Sequence, residues 1–155
     1  MDVFRNRREQ LINNIHEIKD NDLIILFSGF ESSRTSFRPS SCAYYLTGIE
    51  DSGVVITIAK SGRMQAFVPR YGVDRGLWCG SRAVDDAWWK QAGFDSVNYL
   101  GEKISGYSLG MPIKEQSVSN LLDSLKKTVS QGGQLLTLGS LHKNIGNEQY
   151  IFMSQ

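Results

Sequence analysis

The apolar residues of the chain recur with two different spacings, which predict helices and strands in alternation. Residues 3–18 and 115–129 carry apolar side chains at helical spacing, which predicts two helices, the first of them amphipathic. Residues 85–91 are predicted to be a short helix with acidic residues near its start. Leu23–Phe27 is a continuous apolar run, typical of a strand buried on both faces. Residues 96–100 and 134–138 are predicted to be further strands.

A β-hairpin is predicted at the centre of the chain. Two apolar runs, 54–59 and 64–68, flank a four-residue connection that contains Gly62. Pro69 is expected to end the second strand, because proline has no N–H to donate to a strand ladder. Helices and strands that alternate around one hairpin predict an α/β domain of stacked layers with a mixed sheet.

Composition and charge reduce the number of functional classes to which the chain can belong. The chain has 155 residues, 41% of them hydrophobic, which fits one globular domain over residues 1–155. Its formal net charge of +1 gives no electrostatic case for nucleic acid or an anionic membrane as a partner. No apolar run approaches the roughly 20 residues that span a bilayer, and no signal peptide is visible. With two cysteines, too few for a disulfide framework, we expect a cytoplasmic protein.

The patterns for catalysis and for metal binding are weak. Residues 106–110 match the G-x-S-x-G nucleophile elbow, and Asp123 and His142 follow in the order of a serine hydrolase. No apolar strand leads directly into this segment, so a glycine-rich loop is the better interpretation. His16 and His142 are the two histidines, and neither has a partner at metal-ligand spacing. We therefore expect no catalytic residue and no metal ligand in this chain.

Trp78, Arg82, Arg38 and Arg70 allow two interpretations. The tryptophan can pack against the hairpin while the arginines are surface charges. Alternatively, Trp78 forms a wall of a ligand pocket or interface, where tryptophan and arginine are enriched. An arginine also offers a planar fork to a carboxylate, such as a peptide terminus. The residue types and their spacing alone do not decide between these two interpretations.

Several motifs in a fixed order resemble the N-terminal domain of the creatinase/aminopeptidase P/prolidase, or pita-bread, metallopeptidases. They are Phe37-Arg38, the YYLTG sequence at residues 44–48, the hairpin, and the segment with Asp74 and W-x-G-x-R at residues 78–82. The resemblance implies a three-layer α/β/α domain with a mixed sheet, of the ribonuclease H-like or creatinase N-terminal type. Cys42-Ala43 and Glu50-Asp51 depart from the family pattern and leave the substrate preference open.

The resemblance also implies a function for the whole protein. Relatives carry a second domain, expected to be absent from this chain, in which two manganese ions activate a hydroxide that cleaves Xaa-Pro bonds. The N-terminal domain is then non-catalytic, supports a homo-oligomer and lends residues to the substrate pocket for proline-containing peptides. By motif position, Trp78, Arg82 and Arg38 are the implied substrate-binding residues. An alternative is an interaction module for peptides or proteins in a catalytically inactive homologue.

Overall fold

A computed structural model describes residues 2–15, 17–29, 37–71, 86–104 and 119–137, and these form a five-stranded sheet with helices on both faces. The helices are α1 (Asp2–Asn14), α2 (Ser41–Thr47), α3 (Asp86–Gln91) and α4 (Ser119–Ser130). The strands are β1 (Leu23–Phe27), β2 (Val55–Ala59), β3 (Met64–Tyr71), β4 (Ser96–Ile104) and β5 (Leu135–Thr137). Within the described ranges, no helix has the length and apolar character needed to cross a bilayer.

The sheet is mixed, with the strand order β4-β3-β2-β1-β5. β2 is antiparallel to both β1 and β3, while β4 runs parallel to β3 and β5 runs parallel to β1. As a result β1, β3, β4 and β5 all point the same way and end on the same side of the sheet. We call this side the carboxyl edge. The mixed sheet predicted from the alternation of elements is confirmed.

Two clusters of buried side chains lie on the two faces of the sheet. On one face, Ile24 and Leu26 of β1 pack with Leu46 of α2 and Trp89 of α3. On the other face, Ile25 packs with a cluster that includes Leu121 of α4. Successive strand residues point to opposite faces. The continuous apolar run of β1 is therefore buried on both sides, as predicted.

The predicted hairpin is confirmed in position and register. Gly62 closes the turn with a φ of 83°, and its N–H donates to the Ala59 carbonyl at 2.8 Å. A φ in this range strains any residue with a Cβ, so glycine suits the position. The strands then pair residue by residue from Ile58 opposite Met64 to Val55 opposite Phe67.

The prediction that Pro69 ends β3 is wrong, since the strand continues to Tyr71. The Ala59 N–H donates to the Arg63 carbonyl, so alternate residues of β3 from Arg63 onward turn their main-chain polar groups towards β2. Pro69 falls in this set, but the pairing with β2 stops at Phe67. The missing N–H thus faces a position where no ladder bond is formed, and Pro69 keeps its place opposite Leu100 of β4.

Candidate functional site at the carboxyl edge

Four of the five described strands have their carboxyl ends at the carboxyl edge. The strands β1, β3, β4 and β5 end there, and β2 begins there, because Val55 pairs with Phe27 at the end of β1. In open α/β sheets, ligands bind outside the carboxyl ends of the strands. The topology therefore makes this edge the candidate site.

Ser28 holds the loops at the end of β1 together. Its carbonyl accepts the Ser40 N–H at 2.8 Å, and its hydroxyl accepts the Val54 N–H at 2.9 Å. Beside it, the Gly53 N–H donates to the Gly29 carbonyl at 2.7 Å. Ser28 is fully buried, so these bonds form away from water and fix the start of α2 and the start of β2 against the same strand end. Nothing in the local sequence around Ser28 indicates this role.

Arg38 lies at the carboxyl edge with its side chain exposed. It stands two residues before Ser40, whose N–H is bonded to the end of β1. An exposed guanidinium at this edge offers a planar pair of donors that fits a carboxylate. Of the three predicted binding residues, this is the one that falls within the described part of the chain.

The YYLTG sequence at residues 44–48 forms the end of α2, a helix that the sequence interpretation did not predict. Leu46 enters the core, whereas Tyr44 and Tyr45 are about half exposed. Gly48 closes the helix in the left-handed conformation, and its N–H donates to the Tyr44 carbonyl at 2.8 Å. This motif therefore has a structural explanation as a helix terminus.

Two consecutive arginines of α1 bind the carbonyl end of α2. Arg7 donates to the Tyr45 carbonyl at 2.9 Å, with its guanidinium 4.1 Å from the centre of the Tyr45 ring. Arg8 donates to the Leu46 carbonyl at 2.9 Å and contacts the Ala92 carbonyl at 3.5 Å. Burial, and secondarily the neighbouring Arg5, lowers the pKa of Arg8, but a guanidinium stays protonated at any physiological pH. Positive charges at a helix C-terminus also interact favourably with the negative end of the helix dipole.

The other predicted chemistry lies largely outside the described residues. Trp78 and Arg82 belong to the connection between β3 and α3, which is not described, and the same is true of residues 106–110, His16 and His142. Asp123, the third residue of the hydrolase pattern, lies in α4. The binding roles of Trp78, Arg82 and Arg38 stay predictions.

No three His, Cys, Asp or Glu side chains in the described ranges come together in a way that could hold a metal ion. The pair of manganese ions implied by the resemblance stays an expectation for a separate domain. No chemical step through that metal pair can be assigned to this chain.

Comparison with solved structures finds the same fold in larger chains, among them two aminopeptidases P. A putative aminopeptidase P from Bacillus anthracis is 22% identical with a TM-score of 0.60, over 99% of this chain and 34% of that chain. A variant of Escherichia coli aminopeptidase P in complex with substrate is 18% identical with a TM-score of 0.55, over 87% of this chain and 36% of that one. Icp55 from Saccharomyces cerevisiae is 14% identical with a TM-score of 0.61, over 97% and 33% respectively.

The chain spans about a third of the length of these structures. It matches none of the curated proteins with which it was compared. Residues 4–107, well over half of the chain, match the family described as "Aminopeptidase P, N-terminal domain". The chain therefore belongs to the aminopeptidase P N-terminal domain family.

Proposed function

We propose that this chain is the non-catalytic N-terminal domain of an Xaa-Pro aminopeptidase or dipeptidase, and that its carboxyl edge forms part of the rim of the substrate pocket. The observation that carries the proposal is the family match over residues 4–107. One structure of the same fold, from Escherichia coli, is of an aminopeptidase P with its substrate bound. The substrate class proposed for the whole protein is a peptide with proline in its second position.

The position of Arg38 supports a role at the pocket rim. It is exposed at the edge where β3, the strand that precedes Trp78 and Arg82 in the sequence, also ends. A tryptophan supplies a large rigid surface for an apolar ring such as proline, and an arginine supplies a fork for a carboxylate. The near-neutral charge of the chain favours a peptide over nucleic acid as the partner.

Catalysis in this proposal belongs to a separate domain with two manganese ions, which would supply an activated hydroxide. The residues of the present chain bind and orient the peptide and restrict access of water to it. We propose further that the whole protein is a homo-oligomer in the cytoplasm, in which this domain contributes to the subunit interface. Sedimentation of the full-length protein tests the oligomer, and a monomer at all concentrations would contradict it.

The decisive experiment uses the polypeptide encoded by the complete reading frame. Release of the N-terminal residue from Xaa-Pro peptides should require Mn²⁺, and Trp78→Ala should lower kcat/KM at least about fivefold, the effect of losing roughly 1 kcal/mol of a binding contact. The metal content of the variant should equal that of the wild type. Unchanged kinetics in Trp78→Ala would assign the tryptophan to packing instead.

Absence of cleavage by the full-length protein would contradict the peptidase role. If that protein then bound proline-containing peptides in a titration, the chain would be the interaction module of an inactive homologue. If it neither cleaved nor bound such peptides, the proposed function would be wrong altogether.

A further inference from the structure

We propose that the outer surface of α1 and α2 is a docking site for a segment of another polypeptide, and that it recognises a carboxylate beside an apolar side chain. The surface consists of five residues on these two neighbouring helices: Val3, Phe4 and Arg7 of α1, and Tyr44 and Tyr45 of α2. We call it the aromatic patch. It contains none of the residues proposed for the pocket rim, so this proposal stands independently of the proposed function.

The tyrosines of the patch are not explained by the role of the YYLTG sequence as a helix terminus. Tyr44 is 45% exposed, Tyr45 is 53% exposed and, on the neighbouring helix, Val3 is 49% exposed. Single exposed apolar side chains are normal on a protein surface, whereas adjoining ones indicate an interaction site. Here they adjoin, because Val3 lies one turn before Arg7 on α1 and Arg7 contacts Tyr45. Tyrosine and arginine are also enriched at the hot spots of interfaces.

Arg7 is fixed at the centre of the patch and keeps unused donors. Its guanidinium lies over the Tyr45 ring, 4.1 Å from the ring centre, and 5.5 Å from the centre of the Phe4 ring. One of its terminal nitrogens donates to the Tyr45 carbonyl at 2.9 Å. A guanidinium carries five N–H donors in its plane, and a ring against its face does not block them. Within the described part of the chain, Arg7 forms no ion pair. The patch therefore offers a cation of fixed position to an incoming acid.

A carboxylate beside an apolar group complements this arrangement. The planar fork of an arginine matches a carboxylate, with which it can form two parallel charged hydrogen bonds. Because Arg7 is already ordered against Tyr45, little side-chain freedom is lost when the acid binds. The half-exposed tyrosine rings offer rigid apolar area to the neighbouring side chain of the partner, and covering them removes water from the ion pair. A segment with an aspartate or glutamate next to an aromatic or aliphatic residue meets both requirements.

Nucleic acid and an anionic membrane fit the patch less well than an acidic segment of protein. Both of them bind through several cations at once. Beside the patch, Arg5 is paired with Glu9, and Arg8 is buried with its donors on main-chain carbonyls. Of the arginines of α1, this leaves Arg7 for an anionic ligand, which suits one carboxylate rather than a row of phosphates.

A second copy of the same surface is also a poor occupant. A two-fold contact brings a surface patch against its own image. Residues 5–9 of α1 carry three arginines and one glutamate, so such a contact would place a surplus of positive charge opposite itself. Like charges that face each other disfavour an interface. The charge of the patch thus favours an acidic partner over self-association.

The first experiment maps the site with a small probe. N-acetyl-phenylalaninate, which has one carboxylate beside one aromatic ring, is titrated into the isotope-labelled chain while the amide signals are followed by NMR. Signals of α1 and α2 around the patch should shift and saturate, with a Kd on the order of 1 mM for so small a ligand. N-acetyl-phenylalaninamide lacks the charge and should bind at least about fivefold more weakly. Absence of saturation, shifts confined to other regions, or equal binding of the amide overturns the proposal.

Substitutions test the contributions of individual side chains to binding of the probe. Arg7→Gln should weaken binding about tenfold, the effect of losing a charged hydrogen bond, and Tyr45→Ala should weaken it about fivefold. The control is Arg63→Gln, which changes an exposed arginine in the hairpin turn and should leave the Kd unchanged. Arg7→Lys keeps the charge without the planar fork and should also bind more weakly than the wild type. If Arg7→Gln does not fold, Arg7→Lys replaces it in both experiments. A Kd equal to that of the wild type in a folded Arg7 variant overturns the proposal.

The second experiment determines the sequence preference of the patch in the full-length protein. Peptides from a random library are selected on the immobilised wild type and on Arg7→Gln, and those retained only by the wild type are sequenced. They should carry an aspartate or glutamate next to an aromatic or aliphatic residue. Retained peptides without such a pair contradict the proposal. If the 155-residue chain binds the probe but the full-length wild type retains no more peptides than Arg7→Gln, the patch is covered within the whole protein, and its assignment to a separate polypeptide is wrong.

Discussion

The ring of Phe4 in α1 lies directly against Gly48, the residue that closes α2. A Cβ at Gly48 would lie 2.6 Å from the Cζ of Phe4, closer than any ordinary van der Waals contact. Gly48 also has a φ of 72°, where a Cβ is strained by the neighbouring carbonyl. Two constraints therefore favour glycine as the last residue of YYLTG: its left-handed conformation and the close contact with Phe4 of α1.

Gly48→Ala should be among the most destabilising glycine substitutions in the domain. The left-handed conformation costs roughly 1–2 kcal/mol with a Cβ, and forcing an extra group into a packed contact costs typically about 1–3 kcal/mol more. Gly62→Ala is the matched control, because Gly62 has a φ of 83° with nothing within 4 Å of the added Cβ. Urea unfolding should show the larger loss at Gly48. Equal losses would mean that Phe4 moves aside freely.

Thr47 precedes Gly48 in the YYLTG sequence, and its hydroxyl should contribute more to the stability of the domain than its methyl group does. The hydroxyl donates to the Ala43 carbonyl at 2.6 Å and accepts the Ile49 N–H at 3.3 Å, with the side chain 1% exposed. Thr47→Val keeps the shape but leaves a buried N–H without that acceptor, which should lower the free energy of unfolding by about 1–3 kcal/mol. Thr47→Ser keeps the hydroxyl and should lose about 0.8 kcal/mol for the missing methyl. The reverse ranking in denaturant unfolding would show that packing dominates.

Where one local signal dominates, the sequence was sufficient to predict the element. β1 matches its predicted range because five consecutive apolar residues leave no other placement than between two helix layers. The hairpin follows from Gly62 between two apolar runs. By contrast, α2 could not be read from periodicity, since a seven-residue helix places only two apolar side chains, Ala43 and Leu46, in the core.

The site was less predictable for a related reason, because its geometry depends on contacts between residues far apart in the sequence. Nothing in the local sequence singles out Arg8, and only the folded chain brings the ends of α2 and α3 to it. Ser28 likewise gains its role from Ser40 and Val54. The resemblance of the motifs supplied the family, whereas the alternation of helices and strands had already predicted the mixed α/β sheet.

Because of Asp22, the free energy of unfolding of the domain should decrease at acid pH. Its carboxylate accepts the Lys19 N–H at 2.7 Å and the Gln134 N–H at 2.7 Å, and these bonds lower its pKa below the ordinary 3.8. A lowered pKa in the folded state means that the stabilisation is fully present above about pH 3.8 and is lost as the pH falls through the folded-state value. Thermal unfolding between pH 2 and pH 7 measures this dependence.

Asp22→Asn should lower the Tm at neutral pH and flatten its fall in acid, because an amide turns a donor towards one of the two N–H groups. Asp20→Asn is the control, since Asp20 is 92% exposed and pairs only at the surface with Lys60. A surface pair of this kind contributes little. If both variants lost stability equally, the main-chain bonds of Asp22 would not be the cause of the acid dependence.

Arg38 and Arg63 offer a matched pair for the proposed pocket rim. Both are exposed, but Arg38 lies at the carboxyl edge and Arg63 lies in the turn between β2 and β3, at the opposite edge of the sheet. In the full-length protein, Arg38→Ala should raise KM for Xaa-Pro peptides roughly tenfold, the equivalent of about 1.4 kcal/mol for a charged hydrogen bond to a carboxylate. Arg63→Ala should leave the kinetics unchanged, since it is remote from the rim.

Amidation of the peptide's C-terminus separates the mechanisms: if Arg38 binds that carboxylate, the amidated peptide should bind wild type and Arg38→Ala equally weakly. A persistent difference with the amidated peptide would assign Arg38 to another part of the substrate, and no difference between the two arginine variants would remove Arg38 from the rim.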